Sequence, residues 1–328
     1  MKKIIALTLG LLLTTGLFTA CNGEKETNNT GEKQYTIGVA QFGEHASLDN
    51  CRKGFLQGLA EEGFVEGENL IVEYENAQFD TAITNQIAQK FVSKDLDLIA
   101  AIATPIAQST FNAAKKTDIP VIFTAVTDPD AAMLTEGNIT GTSDKLPIEA
   151  QLKLIRAMMP KAKNIGILYT TSEVNSESTI AEYKEKAGDY GFEIIDSGIS
   201  VAADIPLAVD KLLPQVDALT NLTDNTVVGS LPVILEKANA RDIPVFGSEI
   251  EQVKIGSIAS EGIEYISLGK QTGKMAAAIL KGEKTAVDTP YETIEESSLY
   301  INSEVMESLG LTLPEDMMKR AADVATSN

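Results

Sequence analysis

The stretch that decides the fold runs Leu96-Asp97-Leu98-Ile99-Ala100-Ala101-Ile102, then Ala103-Thr104-Pro105, and on to Ile119-Pro120-Val121-Ile122-Phe123-Thr124-Ala125. Both apolar runs are continuous rather than alternating, as expected of strands buried on two faces. A helix-period segment from Pro105 to Lys116 separates them. Strand, helix and strand in that order predict a parallel sheet with helices on both sides.

The same alternation extends outward. Upstream, Tyr35–Ala40 and Leu70–Tyr74 read as strands, with helices predicted over about 48–62 and 81–93. Downstream, strands are predicted at 164–169, 192–195, 216–219, 244–246 and 255–259. Helices fall near 149–158, 176–187, 205–213, 228–240 and 263–280. Two parallel-sheet domains of similar plan, joined by an extended crossover near 139–147, account for this order. No GxGxxG opens a helix after the first strand and no GxxxxGK[ST] occurs, so the nucleotide-binding signatures of such sheets are missing. Gly269-Lys270-Gln271-Thr272-Gly273 falls inside a predicted helix and reads as a site of close helix packing.

The amino terminus carries an address. Lys2 and Lys3 precede an apolar run from Ile4 to Leu13, and Leu17-Phe18-Thr19-Ala20-Cys21 follows. A basic start, a short apolar core and a small residue before a cut read as a secretory leader. The run ending at Cys21 resembles a bacterial lipobox, in which the cysteine becomes the lipidated first residue. Phe18 stands where that pattern usually has Leu, Val or Ile. A polar stretch after Cys21 reads as a tether. Past residue 20 no apolar run reaches the roughly 18 residues a membrane span needs.

Composition narrows the chemistry. The net charge is −20, and loss of Lys2 and Lys3 with the leader makes the chain more acidic still. Such a chain repels nucleic acid and anionic lipid. His45 is the single histidine, and Cys51 is the one thiol besides Cys21. No disulfide framework, no His/Cys metal cluster and no Cys–His dyad is available, and no cofactor is expected. Cys51 reads as a small buried hydrophobe in a helix.

Ligands of open parallel sheets sit beyond the carboxyl ends of the strands. The segments there carry hydroxyls, acids and amides with few cations. Ala103-Thr104-Pro105 and Thr127-Asp128-Pro129 each put a threonine where a strand ends, which suits a carboxylate held by hydroxyl and amide donors. The competing reading of each is capping or turn formation. Asp224 ends a strand of the second domain. It would either pair with an ammonium group or cap the next helix, with Glu173 and Glu249 as rivals for the ammonium. Phe42, Tyr169 and Phe246 end strands aimed at the same cleft and could offer aromatic surface, Phe42 foremost, with core packing the favoured reading of Phe246.

These landmarks, in order, resemble the ABC-transporter substrate-binding lipoproteins of the tryptophan/aromatic amino acid uptake group. The motifs are His45-Ala46-Ser47-Leu48-Asp49, Ile102 to Gln108, Thr127-Asp128-Pro129, Gly141-Thr142-Ser143-Asp144, Tyr169 to Ser176 and Asp224-Asn225-Thr226. The resemblance covers almost all of 35–324. It implies a type I periplasmic-binding fold: α/β, two doubly wound parallel-sheet lobes joined by a three-crossover hinge. The implied division is a leader over 1–20 and a tether over 21–34. One lobe is then 35–142 plus 260–288, and the other 143–259 plus 289–324. It also implies a ligand shell of Phe42, Ser47, Thr104, Thr127, Ser143, Asp144, Ser172, Glu173, Asp224 and Asn225. The implied partners are an aromatic L-amino acid, an ABC permease and the membrane, reached through lipid on Cys21. Gly43-Glu44 departs from the family's usual Val-Ser, which leaves Trp, Tyr and Phe all open as ligands.

Other readings remain at this stage. A receptor for a sugar or nucleoside would want more aromatic residues than the 5% present. An enzyme would need a nucleophile and base built on His45, or a carboxylate pair such as Asp128 with Asp224. A surface adhesin or sensor is compatible with lipid anchoring.

Overall fold

The computed structural model describes residues 33–294 and 297–325. Cys21, the leader and nearly all of the expected tether lie outside the described residues. The first sheet is built from β1 (Tyr35–Gln41), β2 (Leu70–Asn76), β3 (Leu98–Ile102), β4 (Val121–Thr124) and β5 (Ile139–Ser143). They alternate with α1 (Ala46–Glu61), α2 (Thr81–Val92) and α3 (Thr104–Ala114). The second series runs α4 (Ile148–Met158), β6 (Asn164–Thr170), α5 (Val174–Lys186), β7 (Glu193–Ile199), α6 (Ile205–Leu212) and β8 (Ala218–Thr220). It continues through α7 (Asn225–Gly229), α8 (Leu231–Asn239), β9 (Val245–Phe246), α9 (Ile250–Lys254) and β10 (Ala259–Gly262). The chain then returns through α10 (Tyr265–Leu280) and β11 (Glu292–Thr293), and finishes with β12 (Ser298–Ile301) and β13 (Ala322–Asp323).

The first sheet has the order β2-β1-β3-β4-β5-β11, parallel throughout. The second has the order β7-β6-β8-β9, also parallel, and repeats the pattern in which the first strand is flanked by the second and third. A small third sheet, β10-β12-β13, pairs β10 and β12 antiparallel beside the second lobe's core. The chain crosses between lobes after β5, after β10 and after β11. β11 lies past 288 yet extends the first sheet beside β5, while β10 pairs in the second lobe up to Gly262. This is the α/β architecture of type I periplasmic-binding proteins. No helix among the described residues is long and apolar enough to cross a membrane.

Some elements differ from the pattern reading for local reasons. The segment expected to be an extended crossover at 139–147 contributes β5, because Ile139–Ser143 is buried throughout and completes the sheet against β4. The single helix expected over 228–240 is two, broken at Ser230 ahead of Pro232. The strand expected at 255–259 begins only at Ala259, since Ile255–Gly256 closes α9 with Gly256 at φ +127°.

Helices α1 and α10 pack backbone against backbone. A Cβ on Gly54 would lie 2.1 Å from the Ile266 carbonyl oxygen, and one on Gly58 would lie 2.3 Å from that of Lys270. A Cβ on Gly269 or Gly273 would come within 2.0 Å and 2.2 Å of the Cys51 and Phe55 carbonyl oxygens. The helices run in the same direction, so both amino termini point to the same end of the lobe. Thr272 of α10 is bonded to Thr124 at 2.9 Å and to Thr142 at 2.6 Å, and Cys51 Sγ lies 3.0 Å from Thr124 Oγ1. Cys51 is fully buried, and desolvation pushes its thiol up to about 12, so it is chemically inert as well as packed.

Substituting Gly269→Ala inserts a methyl where a carbonyl already sits. Overpacking of this kind costs about 1–3 kcal/mol. Thermal denaturation should show a Tm lowered by several degrees, while an exposed alanine control on the same helix leaves it unchanged.

Candidate functional site

The carboxyl ends of β1 to β4 and β6, β8 and β9 face each other across a cleft, and strained backbone gathers at its edge. Gln78 and Phe79 follow β2 with φ of +51° and +62°, Ala103 follows β3 at +89°, and Ala125 follows β4 at +55°. Left-handed conformations cost non-glycine residues about 1 kcal/mol or more, and tend to persist where surrounding contacts fix a site. Ala103 ends β3 so abruptly that α3 starts at Thr104 with Pro105 in its first turn and no side-chain cap. The positive end of that helix is therefore left for something else.

The lobes are in contact across this cleft. Ser47 Oγ donates to Glu249 Oε1 at 3.0 Å, and Asn50 Nδ2 donates to Glu251 Oε1 at 2.9 Å. The Thr127 and Thr223 hydroxyls are 2.8 Å apart. A cavity of about 820 Å³ lies on one side of these contacts, bounded by Phe42, Phe79 and Pro105 from the first lobe and Ser172, Glu173 and Gly229 from the second. A much smaller polar pocket lies deeper, where His45, Ser47 and Tyr265 meet Asp144, Asn225 and Glu249.

The acids of the site divide sharply by their partners. Asp224 was expected as either an ammonium partner or a cap. Its carboxylate accepts from Thr170 N at 2.6 Å, Thr170 Oγ1 at 2.9 Å, Ser176 Oγ at 2.8 Å and Val227 N at 2.9 Å. Four donors from its own lobe occupy it, so it caps α7 and clamps α7 to β6 and is not left for an ammonium. Glu173 is occupied in the same way by the backbone and side chains of Asn225 and Thr226, at 2.6–3.2 Å. Burial raises the pKa values of both acids. Glu249 accepts from Glu251 N at 2.6 Å and Gln252 N at 3.0 Å as the cap of α9, in addition to Ser47.

Asp144 is different. It is 3% exposed, and Tyr265 donates to its Oδ2 at 2.5 Å, but its Oδ1 has no hydrogen-bond partner. Burial raises its pKa, opposed by Tyr265 and by the nearby Thr127. An unpartnered buried carboxylate oxygen carries a desolvation cost of about 1–3 kcal/mol or more.

Of the other residues in the implied shell, Phe42, Ser172 and Glu173 border the large cavity, and Ser47, Asp144 and Asn225 border the small one. Thr104 is the buried first residue of α3. Thr127 makes the interlobe contact described above. Ser143 is turned to the crossover, donating to Thr127 O at 3.0 Å and accepting from Lys145 N at 3.2 Å. Phe246 is a core residue of the second lobe, as its favoured reading had it, and Tyr169 packs against that core instead of supplying the cleft surface it offered.

Two residues of the cleft went unread as aromatic surface. Phe79 meets Phe42 edge to face at 5.8 Å and lies parallel to His45 at 6.3 Å. His45 precedes α1 and is half-buried, with both ring nitrogens shielded from solvent and neither hydrogen-bonded, and desolvation lowers its pKa to about 4. Phe79 follows a strand by three residues and gave no periodic signal.

The family model described as ABC transporter substrate binding protein matches residues 36–325. The chain is 39% identical over 335 residues to a protein of Clostridioides difficile (strain R20291) named "Tyrosine-binding protein", covering 98% of this chain and 94% of that one. An ABC domain from Streptococcus pneumonia, solved in complex with L-Trp, superposes with a TM-score of 0.85 at 34% identity, covering 89% of this chain and 99% of that chain. The ligand-free, open structure of a Clostridium difficile substrate binding protein with adhesive properties gives 0.66 at 38% identity, covering 88% and 98%. At similar identity, the better fit to the ligand-bound relative agrees with the interlobe hydrogen bonds: the lobes here are closed. The chain belongs to the ABC transporter substrate-binding protein family, and is an extracytoplasmic solute-binding protein rather than an enzyme.

Proposed function

We propose that this protein captures an aromatic L-amino acid between its lobes and hands it to an ABC permease, held at the membrane by lipid on Cys21. The observation that carries this reading is the pairing of an aromatic wall, Phe42 with Phe79, with two opposite polar features of an amino-acid backbone site. The uncapped amino terminus of α3, with the Thr104 hydroxyl, suits a carboxylate. The unpartnered Oδ1 of Asp144 suits an ammonium, the role that was one of the two readings of Asp224. Thr127, Ser172 and Asn225 complete the contacts, and Ser47 with Glu249 closes the lobes over them. The tyrosine-binding relative and the Trp-bound structure support the ligand class.

A ligand touching both lobes binds the closed form more tightly and shifts the open–closed equilibrium toward it. The moving bodies in this reading are 35–142 plus 260–288 and 143–259 plus 289–324, with two exceptions set by strand pairing: β10, as far as Gly262, moves with the second body, and β11, Glu292–Thr293, with the first. The leader over 1–20 would be removed and 21–34 would serve as the leash.

Isothermal titration with the twenty amino acids should give binding to one or more of Trp, Tyr and Phe, and heat from none of the three refutes the proposal. Asp144→Asn should weaken that binding at least about tenfold, the scale of one charge-assisted hydrogen bond. Asp224→Asn should instead lower Tm, because it removes bonds within one lobe.

Closure also carries a proton signature. Burial holds the Glu249 carboxyl at about 7, above its usual 4.5. Its favourable contribution is therefore complete below pH 4.5 and is lost as pH rises through about 7. His45 acts with the opposite sign, losing its contribution as pH falls from 6.5 through about 4. Comparison with Glu249→Gln isolates the first effect. Without ligand, the Tm of the variant relative to wild type should move upward between roughly pH 5 and pH 8. A constant difference would show that Glu249 does not titrate there.

For the anchor, Cys21→Ala should abolish incorporation of labelled palmitate and release the protein from the membrane fraction. Retention with label would place the lipid elsewhere.

A further inference from the structure

We infer that Phe79 is the residue that sets which side chains the cleft accepts, acting as a gate seated in glycine slots from both lobes. The inference rests on the amino-acid-binding reading above and adds the determinant of its selectivity.

Four observations converge on this ring. First, the backbone is held for it: Phe79 N donates to Phe42 O at 2.9 Å, and Gln78 N donates to Asn76 Oδ1 at 2.7 Å. Asp80 then caps α2 through Ala82 N and Ile83 N. The two consecutive positive φ values of Gln78 and Phe79 are thus fixed from both sides. Second, the ring lies where residue 43 has no side chain: a Cβ on Gly43 would be 1.9 Å from Phe79 Cε1. Third, its far edge reaches the other lobe, where a Cβ on Gly229 would be 3.2 Å from Phe79 Cζ. Fourth, the ring borders the 820 Å³ cavity together with Phe42, and its face is parallel to His45.

The physical consequence follows from where the ring sits. Gly229 belongs to the second lobe, so Phe79 meets it only when the lobes close. The ring then forms a wall of the chamber, with its position set by Gly43 behind and Gly229 in front. A ligand side chain with an aromatic face gains the ring–ring term of about 0.5–1.5 kcal/mol beyond area burial, and an aliphatic one does not.

The test is isothermal titration of wild type, Phe79→Leu and Gly229→Val with Trp, Tyr, Phe, Leu and Met, alongside Tm measurements. Phe79→Leu keeps an apolar side chain and should fold, yet reduce the preference for the best aromatic ligand over Leu and Met by roughly threefold to tenfold. Gly229→Val leaves Phe79 in place but fills its slot, and should weaken every ligand through impaired closure while leaving the Tm of the unliganded protein within a few degrees. Unchanged preference in Phe79→Leu, with wild type binding aromatic amino acids normally, overturns the inference and leaves the amino-acid reading standing. Wild type that binds no aromatic amino acid overturns both. If Phe79→Leu does not fold, Gly229→Val alone decides: undiminished affinity refutes the gate.

Discussion

One backbone contact underlies the rest of the first lobe: that between α1 and α10, where Gly54 and Gly58 face Gly269 and Gly273 with no side chains between them. The cleft depends on it. α1 presents His45 and Ser47 at its start, and α10 presents Tyr265, the hydroxyl that holds Asp144. Because the two helices run parallel in contact, these groups arrive together at one end of the first lobe. The buried bonds of Thr272 to Thr124 and Thr142 fix the register of α10 against the sheet. The returning crossover is thereby locked to the lobe it re-enters, and motion is left to the connections between lobes.

Acids at the cleft show how burial and partners divide one residue type into different roles. Asp224 receives four hydrogen bonds and Glu173 five, and both act as structural clamps at the amino end of α7. Glu249 caps α9 and also reaches Ser47 across the gap, so it responds to closure. Asp144 keeps one oxygen without a donor. In a site with hardly any cations, an unsatisfied carboxylate is the group with most to gain from an incoming positive charge.

Much of this was legible in the sequence. Continuous apolar runs at 98–102 and 121–124 required a parallel sheet, and the glycines at 269 and 273 were readable as close packing. The hydroxyl of Thr104 at a strand end followed from the position of Pro105. The β5 strand did not stand out, because Ile139–Ser143 carries only one strongly apolar residue and is a strand through its neighbours. Phe79 was hidden for a related reason. A single aromatic residue after a strand has no period, and its meaning comes from Gly43 and Gly229, at 36 and 150 positions' remove.

What the sequence by itself determined is the alternation of strands and helices and the doubling of the plan. These depend on patterns within a few residues, which backbone periodicity and motif chemistry report directly. Only the tertiary structure decided which acid is spent and which is left over. Three of the four donors that consume Asp224 come from Thr170 and Ser176, 54 and 48 positions away. A carboxylate's function is set by what lies within about 3 Å of it. That distance is fixed by folding, not by spacing along the chain.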